Sequence, residues 1–131
     1  MNIIKIGNIK LHTLIAYTEE EQARGLMWKK WPPPVMSFIY DTPGIKKFWM
    51  KNTISPLDIV FCKDNKVIAI KSGEPNSLDL IGPNKKSDLV VELPKGTVKK
   101  LGIKVGQAVT LTYSLETLAQ KFICKLAQKH I

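Results

Sequence analysis

The sequence predicts a mainly β domain of the α+β class, in which short strands pack as a compact β-sandwich or barrel. Short runs of alternating or β-branched residues recur along the chain, and Gly, Pro, Asn and Asp separate them at near-regular spacing. Helical periodicity is confined to one early stretch and one stretch at the C-terminal end. This distribution is typical of sheets packed face to face with a few attached helices.

Length, composition and charge limit how the chain is organised. Its 131 residues, of which 44% are hydrophobic, fit one domain with an ordinary core. The formal net charge of +9 is uneven, because residues 94–131 hold seven lysines and one acidic residue. Such a basic end suits nucleic acid, an anionic membrane surface or an acidic protein. A solvated lysine surface explains it as well, and we favour that interpretation.

Cysteine and histidine usage predicts neither a disulfide framework nor a metal site. Cys62 and Cys124 are far apart in the sequence, and His12 and His130 stand alone, so we expect two free thiols, no metal and no cofactor. The first residues alternate as a short strand does and lack the apolar core of a secretory signal. No apolar run reaches the length of a membrane span, and we therefore expect a cytoplasmic protein.

Two β-hairpins are predicted from turn residues that separate alternating runs. The first hairpin joins residues 2–6 to residues 9–17 through a Gly-Asn turn. The second turns at Asp64 and Asn65, after the run that begins at Leu57, because both residue types tolerate the positive φ of a two-residue turn. Further strands are predicted at residues 35–40, 48–53, 89–93 and 108–113.

An early helix is predicted from a capping box. Thr18 and Glu21 have the Thr-x-x-Glu form, and acidic residues follow Thr18 where the helix dipole is positive. The helix is expected over residues 19–29, since Trp31 and three prolines follow it. Gly25 inside this helix is interpreted as a packing glycine at the close approach of another element.

A loop and two shorter helical patterns complete the chain. Residues 72–88 are expected to form a long surface loop, and Thr97 is expected to cap one helical turn that Gly102 ends. Ser114 is expected to cap a final amphipathic helix that starts at Leu115. Its apolar stripe comprises Leu115, Leu118, Ala119, Phe122 and Leu126, and its far side carries Lys121, Lys125 and Lys129.

This final helix is expected to be an appendage of the domain. The chain is accordingly divided into one β-rich domain over residues 1–114 and a basic amphipathic helix over residues 115–131. We expect the helix to dock on the domain, because apolar helix stripes are usually buried. Pairing with a second copy of the chain, and binding to a membrane surface or to nucleic acid, are the alternatives.

The candidate site lies in residues 48–58, which combine aromatic, cationic, amide, hydroxyl and carboxylate side chains. Lys51 can serve as an acid, a base or an anion clamp, and Asp58 can pair with Lys51 or with Arg24. An ion pair with a purely structural role explains the same residues equally well. The candidate ligand-binding residues are Arg24, Trp49, Lys51, Asn52, Thr53 and Asp58.

Three motifs carry a resemblance to a known family. They are Arg24-Gly25-Leu26-Met27, then Phe48-Trp49-Met50-Lys51-Asn52-Thr53 followed by Pro56-Leu57-Asp58, and then Glu92-Leu93 with Gly96. On these residues the chain resembles the prokaryotic domain of unknown function 192 family. The resemblance implies a compact β-sandwich of jelly-roll type with an attached helix, and no settled activity. Ser55 and the Trp31-Pro32-Pro33-Pro34 link depart from the family pattern, so the shape near Asp58 is expected to differ.

Three functions from different classes remain open. The one we favour is a non-enzymatic module that binds a small anionic ligand or a protein partner at the patch from Trp49 to Asp58. The second is a small enzyme that uses Lys51 and Asp58 as an acid–base pair, with Arg24 orienting a carboxylate or phosphate. The third is nucleic-acid binding through the basic C-terminal helix, for which the sequence holds no recognised motif.

Overall fold

The computed structural model describes residues 1–120 and residue 123. Its elements, in chain order, are β1 (Ile3–Ile6), β2 (Ile9–His12), β3 (Leu14–Ala16), α1 (Glu19–Arg24), β4 (Met36–Ile45), β5 (Leu57–Lys63), β6 (Lys66–Gly73), β7 (Lys86–Pro94), α2 (Thr97–Leu101) and β8 (Val109–Thr112). Residues 115–120 are helical as well. The Thr117 backbone N–H donates to Ser114 Oγ at 3.1 Å, so Ser114 caps this helix as predicted.

Part of the predicted final helix falls beyond this range. The residues named in the sequence analysis that lie outside the described residues are Lys121, Phe122, Cys124, Lys125, Leu126, Lys129 and His130. None of the helices in the described part of the chain combines the length and the apolar composition needed to cross a bilayer.

The strands form two sheets, which confirms the mainly β prediction. The smaller sheet has the order β2-β1-β8, and the larger has the order β3-β4-β7-β5-β6. All pairs are antiparallel except β3 with β4, which run parallel. The strands therefore make a compact two-sheet arrangement and not a closed barrel.

The larger sheet has an apolar cluster on each face. On its inner face Val60, Val91 and Leu93 pack with Ile4 and Ile6 of the smaller sheet, which gives the sandwich core. A second cluster covers the outer face. It comprises Ala16, Leu26, Met36, Phe38, Met50, Leu57, Ile59, Phe61 and Val90. Because successive side chains of a strand point to opposite faces, the central strands β5 and β7 supply both clusters.

The N-terminal hairpin of β1 and β2 is confirmed, with Gly7 at φ +59° in its turn. The prediction of one strand over residues 9–17 is wrong, because the chain breaks at Thr13 and continues as β3 in the other sheet. Thr13 is buried, and its hydroxyl lies 2.8 Å from Ser37 Oγ and donates to the Leu14 carbonyl at 2.8 Å. These bonds hold the chain where it passes from one sheet to the other.

The capping box of α1 is confirmed, but the helix is shorter than predicted. Thr18 Oγ1 accepts from the Glu21 N–H at 3.1 Å, and the Glu21 carboxylate accepts from the Thr18 N–H at 3.0 Å. The helix ends at Arg24 and not near residue 29, because Gly25 takes φ +49° and ψ −127°, which are not helical angles. Gly25 is thus the residue that stops the helix.

The prediction of a strand over residues 48–53 is also wrong. Phe48 forms one isolated bridge with Ile81, and the following residues make a turn in which Asn52 has φ +55°. Met50 is buried, and its N–H donates to the Ser77 carbonyl at 2.8 Å. Loop segments, and not a neighbouring strand, therefore satisfy the backbone of this stretch.

The other predicted strand and loop boundaries differ less from those in the structure. The β5–β6 hairpin is confirmed, with Asp64 at φ +52° and Asn65 at φ +61°. The strand predicted over residues 35–40 is longer in the structure, since β4 runs from Met36 to Ile45 with a register shift between Ile39 and Gly44. The loop predicted over residues 72–88 is shorter, since β6 reaches Gly73 and β7 begins at Lys86.

Candidate functional site

A cavity of about 310 Å³ opens on the outer face of the larger sheet. Phe38 of β4 and Glu92 of β7 come from the sheet itself, and α1 and the segment from Ile45 to Thr53 line the sides. The lining residues are Gln22, Ala23, Arg24, Gly25, Met27, Phe38, Tyr40, Ile45, Lys46, Lys47, Phe48, Trp49, Lys51, Thr53 and Glu92. We call this space the outer pocket.

The α1 side of the outer pocket is fixed by polar contacts with the strands. Gln22 Nε2 donates to the Ile39 carbonyl at 2.9 Å and to the Ala16 carbonyl at 3.3 Å. Gly25 then brings the backbone close to the sheet: a Cβ atom there would lie 3.4 Å from Phe38 Cζ and 3.8 Å from Glu92 Oε1. The absence of a side chain at Gly25 therefore leaves the space beside Glu92 open.

The opposite side of the outer pocket is held by the loop that precedes β7. Lys47 Nζ donates to the Gly82 carbonyl at 2.6 Å and to Asn84 Oδ1 at 2.9 Å. The Phe48 ring packs edge-on against Phe38 and Phe61, with ring centroids 5.2 Å and 5.8 Å apart. Phe48 thus anchors this wall in the outer apolar cluster.

Besides Lys47, which is hydrogen-bonded to the loop before β7, three cations line the pocket. Lys46 Nζ lies 4.0 Å from the centre of the Tyr40 ring, and Lys51 Nζ lies 5.2 Å from the centre of the Trp49 ring. Within the described residues, neither lysine nor Arg24 forms an ion pair with a carboxylate. The guanidinium and the two ammonium groups are therefore free to meet an anion.

Glu92 is the buried acidic residue among the described lining of the pocket. It lies in the central strand β7, opposite Met36 on one side and Ile59 on the other, and its residue is only 4% exposed. No group in the described part of the chain donates a hydrogen bond to its carboxyl. Burial raises the pKa of Glu92 to about 8, so the carboxyl is mostly protonated at pH 7.

Tyr40 is perturbed by the same environment. Desolvation raises the pKa of its hydroxyl, and the charge of a nearby ionised Glu92 raises the pKa further. Sequence inspection placed Glu92 in a strand but did not select it as a site residue. The available signal was its spacing of two from Val90, which places an acidic side chain on the apolar face that Val90 shares.

Four of the six residues selected from the sequence line the outer pocket: Arg24, Trp49, Lys51 and Thr53. Asn52 does not line it, and its carbonyl instead accepts a hydrogen bond from the Trp28 N–H at 2.8 Å. Thr53 is buried, and its hydroxyl donates to the Lys51 carbonyl at 3.2 Å, so it shapes the turn that carries Lys51.

Asp58 lies on the other face of the sheet. In β5 it alternates with Ile59, which belongs to the outer cluster, and shares its face with Val60 of the inner cluster. Its Oδ2 accepts from the backbone N–H groups of Gly96 at 3.0 Å and Val98 at 2.9 Å. Asp58 therefore binds the first turn of α2, and the sheet separates it from Lys51 and Arg24.

This arrangement also corrects the expected cap of α2. The helix runs from Thr97 to Leu101 with Gly96 as its N-cap, and Gly102 ends it at φ +69° as predicted. Thr97 does not cap the helix: its hydroxyl donates to the Pro94 carbonyl at 2.6 Å, and the Asp58 carboxylate accepts from the amides of Gly96 and Val98 at the start of the helix. Across residues 1–120 and 123, no three His, Cys, Asp or Glu side chains cluster as metal ligands would.

Comparison with known proteins gives a family and a fold without an activity. The family model DUF192, described as Uncharacterized ACR, matches residues 2–111. A Novosphingobium aromaticivorans protein of unknown function is 29% identical, with a TM-score of 0.77 over 82% of this chain and 83% of that one. A Sinorhizobium meliloti protein, provisionally named a transcription regulator, is 27% identical, with a TM-score of 0.77 over 84% of this chain and 93% of that one. Among the curated proteins, none matches this chain.

Proposed function

Because the chain belongs to the DUF192 family, whose members are described as uncharacterized, we propose a function from the site's own geometry. The outer pocket binds a small anionic ligand and holds it without changing it chemically. The observation that carries this proposal is the set of three cations, Arg24, Lys46 and Lys51, that surround the pocket with no acidic partner among the described residues.

The charge pattern supports an anion over a neutral ligand. Arg24 and Lys51 are exposed and Lys46 is half-buried, so all three can reach a ligand at the mouth. Among the described residues, the one carboxyl that lines the pocket is Glu92, which is mostly protonated at pH 7 because burial raises its pKa to about 8. The pocket therefore presents positive charge with little to offset it.

The size and walls of the outer pocket support a small organic anion. A volume of about 310 Å³ is at the lower end of the range for small-molecule pockets. The walls include the rings of Tyr40, Phe48 and Trp49, which offer flat apolar surface to the body of a ligand. A pocket of this volume suits a compact molecule better than an extended protein segment.

The position of Asp58 weighs against the enzymatic alternative. An acid–base pair must reach one bound substrate from the same pocket, whereas Asp58 and Lys51 lie on opposite faces of the larger sheet. The two hydrogen bonds from Gly96 and Val98 also commit the Asp58 carboxylate to α2. Binding therefore accounts for more of the site than turnover by this pair does.

Nucleic-acid binding stays a prediction for the C-terminal lysines. Its supports are the sequence pattern of Lys121, Lys125 and Lys129 and the name given to the Sinorhizobium meliloti protein. Those lysines lie outside the described residues. The described lining of the outer pocket runs from Gln22 to Glu92, so the two functions can be tested separately.

Isothermal titration calorimetry with benzoate, phenyl phosphate and inorganic phosphate tests the proposal. We expect at least one organic anion to bind. Lys51→Met should weaken its affinity by about fivefold or more, since the contact between the ammonium group and the anion is lost. Lys99→Met is the matched control, because Lys99 is an exposed lysine of α2 that does not line the pocket. Equal losses in both variants, or no binding to the wild-type protein, would refute the proposed function.

A further inference from the structure

Glu92 is an unusual residue for its position. Its strand neighbours Met36 and Ile59 are buried apolar residues, and an apolar side chain would fit the same face. A buried carboxyl without a hydrogen-bond partner lowers stability, because it has lost water and gained nothing in return. Glu92 has no such partner in the described residues, and it lines a pocket that opens to solvent.

The outer pocket therefore has two chemically different ends. The mouth carries Arg24 and Lys51, which are exposed, while Glu92 is almost completely buried. The rings of Tyr40, Phe48 and Trp49 line the same pocket. Gly25 leaves room beside Glu92, since a Cβ atom at position 25 would lie 3.8 Å from Glu92 Oε1 and glycine has none. Because residue 25 has no side chain, a ligand can approach Glu92 from the mouth on that side.

Building on the proposed anion site, we propose that the ligand is a small organic acid that also carries a hydroxyl or amide group. Its anionic group lies among the cations at the mouth, and its hydroxyl or amide group forms hydrogen bonds with the Glu92 carboxyl. The ligand then supplies the partner that the fold itself does not provide. An inorganic anion, or an acid without the second group, leaves Glu92 unpaired.

The ionisation of Glu92 favours a neutral group over an ammonium group. The titratable and charged groups that share its pocket are Tyr40 of β4, Arg24 of α1, and Lys46, Lys47 and Lys51 of the opposite wall. Burial nevertheless raises the pKa of Glu92 to about 8, so at pH 7 the carboxyl both donates and accepts a hydrogen bond. Hydroxyl and amide groups match this pattern, whereas an ammonium group only donates and is repelled by the lysines.

Calorimetric titrations at pH 7 with matched acids test this inference. The pairs are propanoate against lactate, and benzoate against 3- and 4-hydroxybenzoate and 3- and 4-carbamoylbenzoate, with 4-(aminomethyl)benzoate as the ammonium probe. In the wild-type protein we expect at least one hydroxyl or amide acid to bind about tenfold more tightly than its parent, as a buried hydrogen bond requires. Glu92→Leu should abolish the difference.

Glu92→Gln is the second variant, because an amide of the same shape both donates and accepts and should keep part of the preference. Circular dichroism and cooperative urea unfolding check that both variants are folded. If benzoate binds but no acid is preferred, or if the preference survives Glu92→Leu, this inference is wrong and the anion site stands. Preference for the ammonium probe also overturns it. If no anion binds, the proposed function fails and the inference fails with it.

Discussion

Two acidic residues in neighbouring strands show how the face of a sheet decides the role of a carboxyl. Asp58 and Glu92 are both buried, at 7% and 4% exposure, in the paired strands β5 and β7. Asp58 receives two backbone hydrogen bonds on the inner face, from the amides of Gly96 and Val98. Glu92 receives none from the described residues on the outer face, and burial alone raises its pKa to about 8.

The raised pKa of Glu92 predicts how stability depends on pH. The ordinary pKa of a glutamate, 4.5, applies to the unfolded chain, so between about pH 4.5 and pH 8 the folded state binds this proton more tightly than the unfolded state. The contribution of the protonated carboxyl to the free energy of unfolding is therefore fully present below pH 4.5. It is lost as the pH rises from 4.5 through 8. Glu92→Gln removes this loss and should raise the free energy of unfolding at pH 9 by about 2 kcal/mol or more.

Urea denaturation of both proteins at pH 5, 7 and 9 measures this effect. The difference between wild type and Glu92→Gln isolates the one carboxyl, because the other titrating groups are common to both. The gain should be small at pH 5 and largest at pH 9. A difference that does not change with pH would contradict the ionisation assigned to Glu92.

Asp58→Asn should lower stability without affecting the outer pocket. The substitution replaces a charged acceptor of two backbone N–H groups by a neutral amide, at a cost of about 1 to 3 kcal/mol in the free energy of unfolding. Urea denaturation measures the cost, and calorimetry on the folded protein measures binding. Lys51→Met should show the reverse, with weaker anion binding and little change in stability. Weaker anion binding by folded Asp58→Asn protein would contradict the separation of the two faces.

At the scale of the elements, the outer pocket depends on short segments held by polar contacts. The helix α1 has only six residues and no fully buried side chain, so its packing alone does not hold it. The Thr18–Glu21 capping box and the bonds from Gln22 to the strands keep it against the sheet. Arg24 and Gly25 are placed in the pocket by this helix.

Thr18→Ala is therefore expected to weaken both the helix and the site. Loss of the cap should cost about 1 kcal/mol of stability and loosen the end of the chain segment that carries Arg24. Hydrogen exchange of the α1 amides and calorimetric titration with an organic anion measure the two effects. Thr18→Ser keeps the hydroxyl and serves as the control. Unchanged exchange in the alanine variant would show that the cap does not limit the opening of α1.

At the scale of the whole molecule, the larger sheet uses its two faces for different purposes. Its inner face packs on the smaller sheet and forms the sandwich core, and its outer face carries α1, the loops and the pocket. Among the described residues, those that line the outer pocket come no later in the chain than Glu92. The helix that begins at residue 115 borders a neighbouring cavity, through Glu116, Thr117 and Gln120, and that cavity shares Arg24 and Gly25 with the outer pocket.

A chain that ends at Ser114 should therefore keep its anion binding. Removal of residues 115–131 leaves every lining residue of the outer pocket in place, so the calorimetric affinity for an organic anion should change by less than about threefold. If the basic C-terminal lysines bind nucleic acid, oligonucleotide binding should be lost on this truncation and should weaken steeply with salt in the full chain. Loss of anion binding by folded truncated protein would place the ligand elsewhere.

Local signals in the sequence predicted the local structure well. The capping box at Thr18, the positive φ at Asn65 and the helix stop at Gly102 each depend on a few adjacent residues, and each was confirmed. The break at Thr13 could not be predicted in this way, since it depends on Ser37 in a distant strand. Residues 48–53 failed as a strand because loop backbone, which has no sequence period, satisfies their hydrogen bonds.

The candidate site was predicted in part for the same reason. Trp49 and Lys51 were found because unusual side chains occur close together in the sequence, and both line the pocket. Asp58 is only six residues from Asn52 in the sequence. Its side chain nevertheless lies on the other face of the sheet, where its carboxylate accepts a hydrogen bond from the Gly96 N–H. Glu92 reaches the pocket through strand pairing, which only the three-dimensional structure reveals.

The most direct test of the account is to locate bound anion on the protein by nuclear magnetic resonance. In a titration of ¹⁵N-labelled protein with benzoate, saturable shifts should be largest for the amides of Gly25, Phe48, Trp49 and Thr53, which surround the outer pocket. Weak, non-saturating shifts at exposed lysines such as Lys99 and Lys104 would instead indicate non-specific attraction to a basic surface. That result, or the absence of any shift, would contradict the central claim that this pocket is an anion site.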